Sequence, residues 1–395
     1  MRCASTAAEG GCFRYADNAS HDAGGLTGGG GGNPMDIQLA DEIRKQVEEA
    51  FRKRGRVNIV IAGRSGVGKS TLVNAVFHGR IADTGQGRPV TKETREYTKD
   101  GIPVSILDTR GLELGAFTET LKLLEELVAT RAKEADATRH LHCAWLCISE
   151  DSRRVEDGDV KAAEMLARHM PVVVVVTKAR SDQGFRAEVQ TLLPMARNVM
   201  RVRALQETDD EGHTLQPKGL VELVELTMEL VPEAQRNAFA AAQRVSIGQK
   251  RKRAHGIVAS AAAAAGIIGA VPVPFADAAL LVPTQVGMLA GVSSVFGLPM
   301  TEAFLSTLVG ASITGLGATF TGQSIVSGLL KLIPGPGTAI GALISATTAT
   351  ALTTVFGEAY IAVLSKLMEK RCGELPTEEE VIQAFREEMS LRGAA

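Results

Sequence analysis

Gly63-Arg64-Ser65-Gly66-Val67-Gly68-Lys69-Ser70 follows the apolar run Val57-Asn58-Ile59-Val60-Ile61-Ala62 and precedes a helical pattern from Thr71 to Phe77. The octet fits GxxxxGK[ST] at every position. The apolar run predicts a buried strand, so the octet sits on a strand-to-helix turn, the setting this pattern requires. Glycines there let backbone N–H groups close around phosphate oxygens, and the helix N-terminus adds its dipole. Lys69 brings a point charge to the β- and γ-phosphates, and the Ser70 hydroxyl suits Mg²⁺. Gly63, Arg64, Ser65, Gly66, Val67, Gly68, Lys69, Ser70 and Thr71 are therefore the candidate phosphate-binding residues.

Short apolar runs recur at Val104 to Leu107, Ala144 to Ile148, Val172 to Val176 and Val199 to Val202. Helical stretches lie between them, as at Thr118 to Glu134 and Val160 to His169, and a helix near Leu220 to Val231 closes the region. Alternating strands and helices predict an α/β fold with a doubly wound, mostly parallel sheet. Asp108-Thr109-Arg110-Gly111 follows the strand ending Ile106-Leu107. A carboxylate at a strand end can hold Mg²⁺ through water, and Gly111 can offer its N–H to a γ-phosphate. Between the two motifs, in Arg88 to Thr94, a mobile threonine would complete the metal shell only when that phosphate is present, which makes a switch. Thr91 is the first candidate and Thr94 the second. The candidate metal set is Ser70, Thr91 and Asp108; the candidate catalytic set is Lys69, Thr91 and Gly111.

Residues 57 to 230 thus resemble the G domain of the Era/TrmE-like bacterial GTPases. The resemblance implies a P-loop NTPase fold that binds GTP and GDP with Mg²⁺ and hydrolyses GTP. Many small GTPases carry a water-orienting glutamine after the switch II glycine. Here Leu112 stands there, followed by Glu113, which implies slow intrinsic hydrolysis with another group positioning the water. The base-recognition motif [NT]KxD maps onto Thr177-Lys178-Ala179-Arg180, and Thr177 and Lys178 carry over as nucleotide-binding residues. The aspartate position is Arg180, a donor-only side chain that cannot accept guanine's N1–H and N2–H. Asp182, two residues on, substitutes only if the loop bends. A backbone N–H over the base maps near Arg203-Ala204.

The second half differs in kind. Charged residues make up 22% of the chain, yet the 102 residues from Gly256 to Gly357 hold three: Asp277, Glu302 and Lys331. Residues 256–276, 278–301, 303–330 and 332–357 are uncharged stretches near or above the ~20 residues that span a bilayer as a helix. Lys250 to Arg253 precede them and Lys366, Lys370 and Arg371 follow, so both flanks belong on the cytoplasmic face. Gly287-x-x-x-Gly291 and Gly337-x-x-x-Gly341 predict close helix approach. Against crossing stand the abundance of Ala, Gly, Ser and Thr and the breaks at Pro272, Pro274, Pro283, Pro299, Pro334 and Pro336. A compact helical bundle is the alternative; reversible or re-entrant insertion fits both sets of facts. Val271 to Asp277, Leu281 to Gln285, Leu332 to Thr338 and Gly357 to Tyr360 resemble the uncharacterised hydrophobic domain found behind G domains in bacterial membrane-associated GTPases. That resemblance implies a GTPase on the cytoplasmic face of the membrane, integral or peripheral.

The expected organisation is a Gly-rich leader (1–34), an N-terminal amphipathic helix (35–56) and a G domain (57–231). A helical connector with a basic end (232–255), a hydrophobic helical domain (256–365) and a charged helical tail (366–395) follow. Met35 is a candidate start, and the leader shows no apolar signal-peptide core. A net charge of -2 argues against a dedicated nucleic-acid binder, and five cysteines exclude a disulfide scaffold. His140, His142, Cys143 and Cys147 read as core and surface residues rather than metal ligands. The expected function is a membrane-associated nucleotide switch with slow Mg²⁺-dependent GTP hydrolysis. Its expected partners are guanine nucleotide, the membrane and a second copy in a nucleotide-dependent homodimer. The alternatives are a nucleotide-binding scaffold without useful turnover and a soluble Era-like ribosome-assembly GTPase.

Overall fold

The computed structural model of the chain describes residues 34–82, 88–89, 94–109, 117–208, 211–269, 276–298, 301, 303–305, 307–308 and 346–393. A seven-stranded sheet runs in the order β2-β3-β4-β1-β5-β6-β7. These strands are β1 (Val57–Ala62), β2 (Arg88–Pro89), β3 (Thr94–Lys99), β4 (Ile102–Thr109), β5 (Cys143–Ser149), β6 (Val172–Thr177) and β7 (Asn198–Arg201). From β4 to β7 every pairing is parallel, and β2 and β3 add an antiparallel edge. The expected mostly parallel sheet is therefore present. β1, β5 and β6 are buried at every position, which is why they read as continuous apolar runs rather than alternating ones.

One face is covered by α2 (Lys69–Val76), α6 (Leu220–Leu230) and α7 (Glu233–Ala242), where Ile59, Ile61 and Val175 meet Leu72, Leu223 and Phe239. The other is covered by α3 (Phe117–Lys133), α4 (Asp157–Ala167) and α5 (Phe185–Leu192), where Val60, Val174 and Val176 meet Leu124, Leu166 and Val189. A short hairpin, β8 (Glu207–Thr208) with β9 (Thr214–Leu215), lies beyond β7.

Residues 232–255, read as a connector, make two different structures. α7 is part of the first face, with Phe239 edge-on to Phe77 at 6.0 Å. Gln243 then breaks the helix. Its fully buried amide accepts the N–H groups of Val245 (2.8 Å) and Ser246 (2.7 Å) and donates to the Ser246 carbonyl (2.8 Å). A side chain that satisfies these backbone groups removes the need for helical bonds. α8 (Ile247–Gly269) starts directly afterwards in a new direction.

The helical layer comprises α1 (Pro34–Arg54), α8, α9 (Ala276–Phe296), α10 (Ala346–Lys370) and α11 (Glu378–Gly393). It has its own core, built from Val258, Met288, Leu289, Phe296, Tyr360 and Phe385 among others. α8 and α10 run antiparallel: His255 meets Glu358 at 2.8 Å at one end and Ala265 packs on Ala349 at the other. The Gly287/Gly291 spacing allows the close approach it predicts. A Cβ at Gly291 would lie 2.9 Å from Ile257 of α8, and one at Gly287 would lie 2.7 Å from Gln46 of α1. Gly337 and Gly341 lie outside the described residues, as do residues 1–33 of the leader, most of 303–330 and the first part of 332–357. Among the described residues one stretch, Ala349–Lys370, is long and apolar enough to cross a bilayer (mean hydropathy 1.3), and 56% of it is buried inside the protein.

The basic run at 250–253 is not one exposed flank. Lys250 is fully buried, and its ammonium donates to the carbonyls of Ala240 (2.6 Å), Ala241 (3.2 Å) and Phe296 (3.1 Å). Those carbonyls end α7 and α9, where intrahelical donors run out and the helix dipole is negative. Three N–H donors meet three orphan acceptors. Burial nevertheless pulls the Lys250 pKa well below its ordinary value. Gly297 completes the joint in the left-handed region (φ 87°), where a Cβ would lie 2.5 Å from the Ala241 carbonyl oxygen.

Lys250→Met keeps the length and removes the donors. It is expected to cost about 3 kcal/mol, because three buried carbonyls lose their partner; an unchanged denaturant midpoint would show that the joint contributes nothing. His78 beside it supplies a second test. Burial, then the charges of Lys250 and Arg244, lower its pKa to about 2. The unfolded chain therefore takes up this proton first, and stability falls as the pH drops below the ordinary histidine value of about 6.5, by about 1.4 kcal/mol per pH unit. His78→Leu is expected to flatten the acid limb of stability between pH 6 and pH 4, measured by urea unfolding.

Candidate functional site

β1 delivers the chain to Gly63, which turns with φ 135°. A Cβ at Gly63 would lie 2.4 Å from the Cys147 carbonyl oxygen on β5, so the loop can leave the sheet this tightly only with glycine. Lys69 opens α2. Its Nζ donates to the carbonyls of Gly63 (2.8 Å) and Arg64 (3.1 Å) and lies 3.8 Å from Asp108 Oδ1. The structure thus brings the phosphate-loop lysine to the end of β4, as the two motifs require. Arg64 is drawn to the first turn of α4, with Glu156 at 2.5 Å and Asp159 at 3.5 Å. Ser70 is exposed at the second position of α2, while Asp108 is largely buried. Their hydroxyl and carboxylate oxygens are hard donors of the kind Mg²⁺ takes, so the donor set fits that ion. Thr91, Gly111 and Leu112 lie outside the described residues.

Thr177, at the end of β6, closes the loop from the other side. Its hydroxyl donates to the Val67 carbonyl (2.5 Å) and lies 3.2 Å from the Ile148 carbonyl. The first residue of the base-recognition motif therefore ties β5, β6 and the phosphate loop together. Lys178 follows with a left-handed φ of 53° and an exposed side chain whose Nζ is 3.6 Å from Asp151. A cleft of about 370 Å³ opens here, lined by Ser65, Gly66, Ser149 and Asp151 among others.

The segment after Lys178 is held by groups that sequence reading did not single out. Glu150, buried at the end of β5, accepts the Arg180 N–H (2.6 Å) and a two-pronged pair from Arg201 (2.6 and 3.0 Å). Burial alone would raise its pKa, but Arg201 and the N–H groups of Arg180 and Ser181 outweigh that and lower it. The Arg180 side chain turns to Glu207 (2.9 Å) on β8. Asp182 does not bend toward the base position. Its carboxylate accepts the Arg186 N–H (2.9 Å) in the first turn of α5 and lies 3.5 Å from Arg201. The Arg203 N–H, near the expected base cover, is bonded to the Lys218 carbonyl (2.9 Å). His142 accepts the Asn58 N–H (2.9 Å), and His140 lies 2.7 Å from the Glu134 carbonyl. Both histidines thus serve the edge of β1 and β5.

Residues 58–178 match the family described as 50S ribosome-binding GTPase, and residues 234–389 match a domain of unknown function, DUF697. The chain thus carries a match to a GTPase model followed by a match to the DUF697 model. The tRNA modification GTPase MnmE of Desulfotalea psychrophila is 33% identical over 153 residues, which cover 36% of this chain and 31% of that protein. Cell division control protein 10 of Candida albicans is 30% identical over 182 residues, covering 39% and 50%. The chain thus spans about half or less of these curated relatives. Among solved structures, a probable GTP-binding protein engB aligns at 19% identity and a TM-score of 0.30, covering 46% of this chain and 99% of that one. Era in complex with MgGDPNP and a segment of 16S ribosomal RNA aligns at 19% and 0.31, covering 45% and 58%. α7 starts one residue before the DUF697 match, so the DUF697 domain begins on the sheet of the G domain.

Thr177→Val deletes the tether between β6 and the phosphate loop and keeps the shape. Nucleotide affinity is expected to fall about tenfold, the value of one hydrogen bond of about 1.4 kcal/mol. Equilibrium titration with a fluorescent nucleotide measures it, and unchanged affinity would remove Thr177 from the site.

Proposed function

We propose that this chain is a GTP-dependent switch that binds GTP with Mg²⁺, hydrolyses it slowly and thereby governs membrane engagement of its DUF697 domain. One observation carries the reading: the helix that begins at the phosphate loop ends inside the joint to the DUF697 domain. The Val76 carbonyl at the end of α2 accepts the Arg244 N–H (2.9 Å), and the His78 N–H donates to the Ala242 carbonyl (3.1 Å). The turn between α7 and α8 is thus bonded to the last residue of α2 on one side and to His78, just beyond α2, on the other.

Lys69 meets phosphate charge, and moving from the Gly63 and Arg64 carbonyls to phosphate oxygens exchanges one acceptor set for another. Ser70 and Asp108 would hold Mg²⁺, which neutralises charge on the β- and γ-phosphates when bound. Thr177 fixes the loop that cradles those phosphates. With Leu112 after Gly111, no glutamine stands at the water-orienting position of that motif, so the expected turnover is on the order of 10⁻³ s⁻¹ or less. Guanine is read without an aspartate at position 180, and backbone groups must supply the acceptors.

Membrane contact is supported by how charge is distributed on the α8–α10 pair. The ends nearest the G domain carry Arg251, Lys252, Arg253, Lys366 and Lys370. The far ends, near Ala265 and Ala349, carry none and leave Ile267, Leu352 and Val355 exposed. A bilayer surface matches that gradient better than RNA does. Failure to co-sediment with ribosomal subunits would remove the Era-like alternative.

Vesicle flotation of the purified chain with a non-hydrolysable GTP analogue, GDP or no nucleotide tests the switch. The bound fraction is expected to differ about fivefold or more between the GTP-analogue and GDP states, the lower end of typical site-to-site coupling. Lys69→Ala should abolish the difference. Equal flotation in all three states would overturn the switch, and displacement of labelled GTP by ATP as readily as by GTP would overturn the guanine assignment.

A further inference from the structure

α1 ends in Arg52, Lys53 and Arg54, and α8 carries Arg251, Lys252 and Arg253 near its start. Packing of both helices on α9 brings Lys53, Arg54, Lys252 and Arg253 to one cleft of about 670 Å³. This volume lies within the roughly 300–1,000 Å³ of small-ligand sites. Two of the four bases are already matched. Lys53 pairs with Glu49 at 2.8 Å, while Arg253 pairs with Glu233 and donates to Asn237 at 2.9 Å. Among the described residues no carboxylate reaches Arg54 or Lys252.

Arg54 is the telling residue. Its guanidinium lies 4.9 Å from the centre of the Phe51 ring, and its Nε is buried with no acceptor. An arginine stays charged, so enclosing one of its N–H groups without an acceptor is costly. Ser294, 3% exposed in the wall of the same cleft, has a hydroxyl with no partner. Beyond this polar mouth the walls are uncharged, formed by Gly256, Ile257, Ala261, Ala264, Met288 and Gly291. Cationic donors at the mouth and small apolar side chains behind them are complementary to an amphiphile with an anionic head.

We infer that the cleft between α1, α8 and α9 binds the phosphate headgroup and adjoining methylenes of a single anionic phospholipid. Arg54 and Lys252 take the phosphate, and the chain lies along α8 and α9. This rests on the membrane reading above and narrows it to one site.

The test titrates the full chain by calorimetry with lysophosphatidates of six and eight carbons, kept below their micelle concentrations. Saturable one-to-one binding is expected, tightening about fourfold per added methylene as buried CH₂ groups accumulate. Inorganic phosphate and the eight-carbon alcohol should bind at least about tenfold more weakly, since each offers half the complementarity. Gly256→Leu adds bulk at the cleft wall from a position where a Cβ meets nothing within 4 Å. It and Arg54→Gln should each weaken lysophosphatidate binding at least about tenfold and leave GTP binding unchanged. Absence of saturable binding, or binding indifferent to both substitutions, overturns the site. Phosphate binding as tightly as lysophosphatidate makes it an anion site and overturns the lipid. Vesicle flotation of the same variants separates the two readings. Lysophosphatidate binding without flotation supports the cleft and rejects the membrane role, whereas flotation that persists without lysophosphatidate binding does the reverse.

Discussion

The ammonium of Lys250 closes the C-terminal ends of α7 and α9 at once, and the helical layer takes its position from that joint. α7 is fixed on the sheet by Phe239, which packs against Phe77. α8 starts three residues before Lys250, so placing the ammonium between two helix ends also sets where α8 begins and how it leaves. α10 then follows α8 in antiparallel contact, and α1 follows α9. A buried cation is ordinarily a liability. Here three orphan carbonyls and two helix dipoles compensate it, with no carboxylate among its bonded partners. That choice has a structural consequence: a carboxylate pair would tie Lys250 to one element, whereas carbonyls from two helices tie it to both.

The same joint makes one body of two parts that differ in composition. The C-terminal end of α2 bonds to the α7–α8 turn, and Gly373 lies close enough that a Cβ would be 2.2 Å from the Arg244 carbonyl oxygen. The end of α10 is thereby brought against the segment that follows α7. A displacement of α2 along its axis would have to move that turn, because the backbone hydrogen bonds on its two sides lead back to Val76 at the end of α2 and to His78 just beyond it. On the proposed switch, coupling would run along this path: a short helix with Lys69 at one end and the joint at the other.

Much of this was legible in the sequence, and the limits have physical causes. β1, β5 and β6 are buried on both faces, so they had to be apolar runs, and the phosphate loop is forced by the turn at Gly63. β3 was missed because Thr94-Arg95-Glu96-Tyr97-Thr98-Lys99 is an outer strand whose core contribution is Tyr97. Lys250 was misplaced because a basic run before an apolar stretch looks the same whether its first member is solvated or buried. Only the break at Gln243, made by an amide bonding its own neighbours, reveals that α7 and α8 are separate helices. Glu150 was passed over for a related reason: its role depends on Arg201, some fifty residues away, and no local pattern joins them.

The loop after Lys178 illustrates how a motif can change while its scaffold persists. Thr177 still binds the phosphate loop through Val67, so the first position of the motif keeps its architectural role. At the fourth position the chain substitutes a base for an acid, and the surroundings accommodate it with acids of their own. Glu150 takes the Arg180 N–H, Glu207 takes its guanidinium, and Asp182 is committed to α5 and Arg201. Each of these carboxylates is thereby already bonded. Reading guanine through any one of them would require giving up an existing partner, which costs more than the new hydrogen bond returns when the released cation stays beside it. On the proposed GTP assignment, guanine would have to be read by backbone groups, and the backbone of residues 178–182, held by Glu150 and Arg201, is where that geometry would be decided.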